Sequence, residues 1–284
     1  MNLKTTVKAY AKLNLFLDIT GRLPNGYHEL CTVMQQIDLH DDVEITVKDG
    51  KGISAVCDNP QIPCDERNIA CKAAKAFLER LGVDYSVEID VTKRIPLEGG
   101  MGGSSTDGAA VLTGLNRLLG SPFTAEQLYE IGDGLGADVP FCIRGGTALC
   151  KGTGSIFTEV NPLSDCVFVI IQPDFTNNTG IAYMSYDKAP LPANKGVDNM
   201  LSGLKCGNLK TVAESCYNVF EKLYADKRID EIRTEMLALG ALGACMTGSG
   251  SVVFGIFDNE KKAENALKFL KYPFGITAKP INNP

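Results

Sequence analysis

The sequence predicts an α+β chain of two domains, and three observations carry that expectation. At 284 residues it is long enough to bury a large core, and longer than one domain of ordinary size needs. Segments of period two and segments of helical period follow one another without the regular alternation of a parallel α/β fold. No internal repeat or low-complexity tract is present, which excludes a solenoid.

In chain order, "VKAYAKLNLFLDI" is the first strand. Val7, Ala9, Ala11, Leu13, Leu15, Leu17 and Ile19 share one face, which is core. Lys8, Tyr10, Lys12, Asn14, Phe16 and Asp18 share the other, a mixed polar and aromatic face whose ordinary reading is solvated sheet, since lysines mostly lie exposed. This strand is expected to pair with a second, and a helix follows in "RNIACKAAKAFLERL". Tyr85, Val87, Ile89 and Val91 alternate with Ser86, Glu88, Asp90 and Thr92, a strand with one buried face that Pro96 stops. Ala110, Val111, Leu115, Leu118 and Leu119 recur at helical spacing, with Ser104, Ser105, Thr106 and Asp107 at the expected cap and Gly120 at the close. Thr124, with Gln127 three residues on, opens another helix by a capping box. "NPLSD" at 161–165 reads as a boundary, giving domains 1–160 and 161–284. Beyond it come a buried strand "CVFVIIQP", a polar connection rich in Asn and Pro, and helices near 208–239. The loop "MTGSGS", the strand "VVFGIF" and the helix "EKKAENALKFL" complete the chain.

Composition narrows the function. The formal net charge is −6 and no arginine-rich run occurs, which disfavours an extended nucleic-acid surface. Ten cysteines occur without a C-x-x-C pair and beside only two histidines, so neither a zinc site nor a disulfide framework is indicated. They read as buried thiols of a reducing cytoplasm. Lys12, Asn14 and Asp18 interrupt the first apolar run, and "CVFVII" is far too short to span a bilayer. A soluble cytoplasmic protein with no membrane partner is expected.

The chemistry concentrates in "EGGMGGSSTDGAA", residues 98–110. Gly99, Gly100, Gly102 and Gly103 allow close approach of backbone to a ligand, and the hydroxyls of Ser104, Ser105 and Thr106 stand at a helix start whose amides carry partial positive charge. That combination is a phosphate site. It is not a Walker loop, because no lysine follows a glycine, nor a dinucleotide fingerprint, because Gly100 and Gly102 are followed by Ser105. The balancing cation must therefore be a distant lysine or a metal ion, for which the Ser/Thr/Asp cluster supplies hard oxygen atoms. Lys12, beside Asn14 on the polar face of the first strand, is a candidate. Asp138 in "GLGADVPFCIRGG" sits on a short constrained segment, where it caps a turn or accepts a hydroxyl proton during phosphate transfer. "MTGSGSVVF" by itself is a hairpin turn.

Together, "AYAKLNLFLDITGRLPNGYHEL", "PLEGGMGGSSTDGAA" and "MTGSGSVVFG" resemble, in order and spacing, the three motifs of the GHMP kinase superfamily, and the resemblance covers the whole chain. It implies an N-terminal domain like the second domain of ribosomal protein S5, a ferredoxin-like C-terminal domain and an active site in the cleft between them. It implies ATP with Mg2+ as cofactors and no resident metal site. The nucleotide would lie on Pro96, Glu98, Gly99, Gly100, Met101, Gly102, Gly103, Ser104, Ser105 and Thr106, with Asn68 and Lys93 near the adenine. Lys12 matches the catalytic lysine and Asp138 the catalytic aspartate. "GYHEL" and "GADVPF" point within the family to a small-molecule acceptor carrying cytidine diphosphate. Asn14, Thr247 and Gly248 would then meet the acceptor, Tyr27 and Tyr183 flank the cytosine, and His28 read its edge. Three departures stand in the loop: Ser104 replaces a usual glycine, Thr106 a serine and Gly108 an alanine. Ser104 and Thr106 keep oxygen atoms available. A monomer or weak homodimer is expected. Another small-molecule kinase of the family and a catalytically silent nucleotide-binding paralogue are the alternatives, the second opposed by the presence of both Lys12 and Asp138; RNA binding is opposed by the acidic balance.

Overall fold

A computed structural model describes residues 2–163 and 165–282. The elements begin with β1 (Asn2–Arg22), β2 (His28–Lys48), β3 (Gly52–Cys57), α1 (Ile69–Leu81), β4 (Ser86–Thr92), α2 (Gly103–Leu118), α3 (Ala125–Asp133), α4 (Val139–Arg144), β5 (Thr147–Gly152), β6 (Ile156–Glu159) and β7 (Val167–Gln172). They continue with α5 (Thr179–Lys188), α6 (Val197–Lys205), α7 (Leu209–Glu214), β8 (Tyr217–Asn218), α8 (Val219–Tyr224), α9 (Lys227–Ala238), β9 (Gly243–Met246), β10 (Val253–Phe257), α10 (Glu260–Phe269), β11 (Phe274–Ala278) and β12 (Pro280–Ile281). Two compact units form: Met1–Ala11, Leu39–Ile95 and Gly102–Arg144 in the first, and Lys12–Asp38, Pro96–Met101 and Gly145–Pro284 in the second. The division at 160 and 161 stays a sequence-based proposal, and Ser164 of that stretch lies outside the described residues.

In the first unit β4 runs parallel to β3 and antiparallel to Asp42–Lys48 of β2. Val87, Ile89 and Val91 are buried while Glu88, Asp90 and Thr92 are exposed, as the period-two pattern requires. Against that buried face pack Ala70, Ala73, Ala74 and Phe77 of α1 and Val111, Leu112 and Leu115 of α2. Asn68 caps α1 through the amide of Ala70, and both bonds of the Thr124–Gln127 capping box open α3. α2 differs from expectation. Its N-cap is Gly102 in the left-handed region (φ 74°), the helix already runs at Gly103, and no side chain caps it. Ser104, Ser105 and Thr106 therefore lie inside the first turn, and Asp107 just beyond it, instead of ahead of the helix.

In the second unit β7, β9, β10 and β11 form an antiparallel sheet in the order β11-β7-β10-β9. Counted along the chain this is 4-1-3-2, the ferredoxin-like arrangement. Val167–Ile171 are all buried, which explains the unbroken apolar run of β7. Leu30–Gln35 of β2 pair antiparallel with β5, and Phe16 and Leu17 of β1 pair parallel with β8.

Several expectations need correction. On the even-numbered face of β1 Lys8 is exposed as expected, but from Lys12 onward the face is not solvated: Lys12, Asn14, Phe16 and Asp18 are buried together with their odd-numbered neighbours. The polar connection after β7 contains α5 and α6. In α5 the inward residues are Ala182 and Tyr186, whereas Ile181 and Met184 are exposed, so the apolar pattern does not mark the buried face. The ten cysteines form no disulfides, but Cys64 and Cys206 are exposed and three others half-buried. Among the described residues no helix is long and apolar enough to cross a membrane.

The first unit also buries charge. Lys93 Nζ lies 2.5 Å from Asp41 Oδ2 and 2.8 Å from Asp107 Oδ2. Asp41 Oδ1 accepts from the amides of Arg94 and Ile95. Burial would lower the lysine's pKa, but the charges of Asp107 and Asp41 outweigh it and hold the ammonium. Asp107, whose Oδ1 has no hydrogen-bond partner, is pushed up to about 7, first by burial and against the pull of Lys93. Its unfolded-chain value is 3.8, so between roughly pH 4 and 7 the native chain keeps a proton that the unfolded chain has released. That contribution to stability is complete below about pH 4 and is lost as the pH rises through about 7, at a slope of at most about 1.4 kcal/mol per pH unit. Urea unfolding across this window should show the wild type losing stability relative to Asp107→Asn as the pH rises. A pH-independent difference between the two would contradict the assignment.

Candidate active site

In the second unit the site grows from the buried polar face of β1. Lys12 Nζ donates to Asn14 Oδ1 at 2.7 Å, and Asn14 Nδ2 donates to Thr32 Oγ1 at 2.9 Å, whose proton goes to the Phe16 carbonyl at 2.7 Å. The Asn14 amide donates to Thr247 Oγ1 at 2.9 Å. Lys12 is 4 % exposed, so this ammonium is held against the fixed Asn14 side chain instead of bulk water.

The same residues seat the front half of the glycine loop. Lys12 donates its backbone N–H to the Met101 carbonyl at 3.1 Å, and Val252 donates to the Gly99 carbonyl at 3.3 Å. Gln172 Nε2 holds the Leu97 carbonyl at 2.8 Å, and Thr176 Oγ1 donates to Glu98 Oε2 at 2.8 Å, next to a backbone that turns through a positive φ of 52°. The turn joining β9 to β10 is the expected hairpin connection, and it is also a support. A Cβ on Gly100 would lie 2.3 Å from the Thr247 carbonyl oxygen, and one on Gly248 2.6 Å from the Gly100 carbonyl oxygen. Both glycines have positive φ, 78° and 56°, so the two loops meet backbone against backbone.

Tyr27, 65 % exposed, stands at the tip of the turn between β1 and β2, where its amide donates to Asn25 Oδ1. His28 opens β2. Its ring stacks on Tyr183 of α5 at a centroid distance of 4.8 Å, and Tyr183 in turn meets the edge of Phe220 at 5.0 Å. His28 Nε2 lies 2.7 Å from Asp187 Oδ1.

The first unit holds the remaining sequence-predicted residues. Gly102 and Gly103 bring the chain into α2, where Ser104 is exposed and Ser105 half-buried. Thr106 is 1 % exposed, and its hydroxyl donates back to the Gly103 carbonyl. Pro96, which belongs to the second unit, lies half-buried ahead of the loop. Asn68 spends its side chain on the Ala70 amide and the Pro63 carbonyl. Lys93 is occupied by Asp41 and Asp107, close under the helix start: a Cβ on Gly103 would sit 3.5 Å from its Nζ. Asp138 directly precedes α4 and is half-buried; its carbonyl accepts from the Cys142 amide at 3.0 Å. The turn before it runs beside α2, since a Cβ on Gly136 would be 3.9 Å from Ser105 Oγ. Among the described residues no cluster of three or more His, Cys, Asp or Glu could hold a metal ion.

Thr32, Asp41, Asp107 and Asp187 went unread as supports of this site. Their partners lie at sequence separations of 18, 52, 14 and 159 residues, and no local pattern reports such pairs.

Known proteins align with this arrangement. The GHMP kinases N terminal domain matches residues 68–146, and the GHMP kinases C terminal domain matches residues 200–275. The 4-diphosphocytidyl-2-C-methyl-D-erythritol kinase of Clostridium tetani is 42 % identical over 267 residues, covering 93 % of this chain and 95 % of that protein. The enzyme of the same name from Clostridium perfringens is 38 % identical over 93 % of each chain. A crystal structure of 4-(cytidine 5'-diphospho)-2C-methyl-D-erythritol kinase superposes with a TM-score of 0.81 at 29 % identity, covering 97 % of this chain and 99 % of that one. The mevalonate kinase of L. major, at 19 % identity and a TM-score of 0.76, shares the fold.

The loop apposition is testable by adding one carbon. Gly100→Ala should lower the free energy of unfolding by roughly 1–3 kcal/mol, because the obstruction is backbone and the dihedral is left-handed. Gly26→Ala, with a φ of 86° but nothing within 4 Å of the added carbon, should cost only the dihedral term, about 1 kcal/mol. Equal losses in urea titrations of the two variants would show that the loops do not depend on this contact.

Proposed function

The chain belongs to the 4-diphosphocytidyl-2-C-methyl-D-erythritol kinases of the GHMP family, and from that premise we propose that it transfers the γ-phosphate of ATP to the 2-hydroxyl of 4-diphosphocytidyl-2-C-methyl-D-erythritol, a step of the non-mevalonate route to isoprenoid precursors. The observation that carries the mechanism is Lys12: a buried ammonium whose own backbone is hydrogen-bonded to the glycine loop. It answers the charge that the loop lacks.

In this mechanism the amides from Gly99 to Ser105, with the uncapped start of α2, take the phosphate oxygens. Lys12 offsets charge on the phosphoryl group in transfer and orients the acceptor hydroxyl, with Asn14, Thr247 and Gly248 on the acceptor side. Asp138 accepts the hydroxyl proton as the new O–P bond forms and the bond to ADP breaks. Magnesium bound with the nucleotide would draw charge from its phosphates, and the hydroxyls of Ser104 and Ser105 are the hard oxygens suited to it. Pro96, Glu98 and Met101 shape the loop. Asn68 and Lys93, whose side chains are occupied, support the nucleotide side through the backbone they hold. Thr106, with its hydroxyl bonded to the Gly103 carbonyl, acts likewise. Tyr27 and Tyr183 flank the cytosine, and His28 reads its edge. The enzyme works in the cytoplasm on this small molecule as a monomer or weak homodimer; neither nucleic acid nor membrane enters the reaction.

Asp138→Asn should lower kcat by roughly 10² or more while nucleotide binding stays nearly intact. Lys12→Met should also act mainly on kcat. Steady-state assays with the cytidine acceptor, and with mevalonate and homoserine as controls, decide both points. Near-normal turnover in Asp138→Asn, or an effect of Lys12→Met confined to KM, would remove those roles. His28→Ala should raise KM for the cytidine acceptor by the equivalent of about 1–3 kcal/mol and leave KM for ATP unmoved. If wild type used an acceptor without cytidine equally well, the substrate assignment would fall.

A further inference from the structure

His28 is held from several sides by residues that the phosphate chemistry does not use. Asp187 of α5 presents Oδ1 to His28 Nε2 at 2.7 Å and to Arg22 Nη2 at 2.5 Å. Tyr183 stacks on the imidazole, and Tyr186 meets it edge-on at a centroid distance of 5.9 Å. Tyr186 is itself fixed, its hydroxyl within reach of the Ile19 carbonyl at 3.3 Å and the Leu191 carbonyl at 3.2 Å. His28, Arg22, Asp187 and Tyr186 line a cavity of about 320 Å³. The His28 side chain is only 12 % exposed, so its ring cannot turn freely to suit a ligand.

The protons follow from this geometry. Hydrogen bonds from the Arg22 guanidinium, and then from His28, hold the Asp187 carboxyl below the usual carboxylate range. An ionised carboxylate only accepts hydrogen bonds, so the proton in this contact sits on His28 Nε2. In a neutral imidazole the other nitrogen, Nδ1, is then bare and accepts.

We propose that Asp187 is a positioning residue for base selection: it holds His28 as the Nε2–H tautomer, so that Nδ1 favours the exocyclic amino group of cytosine over the carbonyl that uracil carries at the same ring position. The inference rests on the cytidine substrate assigned above and extends it, because Asp187 acts through His28 without touching the base. A donor facing uracil's oxygen would be the opposite choice, and an acceptor facing that oxygen leaves two lone pairs opposed. Arg22 keeps the carboxylate charged, which keeps the tautomer.

Two measurements test it. Nitrogen-15 NMR of the wild type should show His28 protonated on Nε2 and not on Nδ1 at assay pH; the chain has only two histidines, so His40→Gln assigns the signals. Kinetics should compare acceptors carrying cytidine and uridine diphosphate. In Asp187→Ala the cytidine preference in kcat/KM should fall about tenfold, with KM for ATP unchanged. Asp187→Asn, whose amide oxygen can still accept from Nε2, should keep more of that preference, and it serves if the alanine variant fails to fold. A Nδ1–H tautomer or a doubly protonated ring in wild type overturns the proposal, as does an undiminished cytidine preference in Asp187→Ala. A wild type indifferent to the base overturns the substrate assignment beneath it, and a wild type that prefers cytidine keeps the two failures apart.

Discussion

The backbone of Gly100 lies against the backbone of Gly248 at a separation that no side chain could share, and the polar arrangement of the second unit is built on that contact. With the two loops in register, the Thr247 hydroxyl stands 3.5 Å from the Gly100 carbonyl and accepts from the Asn14 amide. Asn14 in turn holds Lys12, and the Lys12 amide returns to Met101 on the first loop. The circuit closes through two short glycine stretches that are separately unremarkable turns. A positive φ at both positions makes glycine the residue that fits, and it is the close approach, more than flexibility, that uses it.

Burial gives the charges of this protein different tasks according to their partners. Lys12 Nζ is held by Asn14 Oδ1 at 2.7 Å where the residue is only 4 % exposed, and its backbone N–H is tied to the Met101 carbonyl. Lys93, whose side chain is 4 % exposed, has two carboxylates within 2.8 Å, and its charge is answered inside the fold. It ties the end of β4, through Asp41 and Asp107, to the start of α2.

Much of the architecture was legible because it rests on local regularities. The alternation from Tyr85 to Thr92, the capping box at Thr124 and the apolar run from Val167 each encode an element without reference to the rest of the chain. Elements whose stability comes from docking were not legible. α5 buries Ala182 and Tyr186 while exposing Ile181 and Met184, and its Asn-capped start reads as a polar loop until the surface it covers is known. Cap assignment at α2 failed for a related reason. Four capping residues in a row mark a helix start, but the left-handed turn at Gly102 decides which residue begins it.

By itself the sequence determined the α+β class, the glycine loop between β4 and α2, the absence of a lysine within that loop, and, by its resemblance, the family and the candidates Lys12, Asp138 and His28. Those follow from residue types at short spacing, where chemistry and period act over a few positions. Only the tertiary structure decided that β1 is buried on both faces around Lys12, that Thr106, Asn68 and Lys93 turn their side chains to the protein, and that Asp187 fixes His28 from 159 residues away. Those depend on hydrogen bonds and charge pairs between distant segments. Their geometry exists only once the chain has folded, because an unpaired polar group in the interior must find its partner wherever the fold brings one.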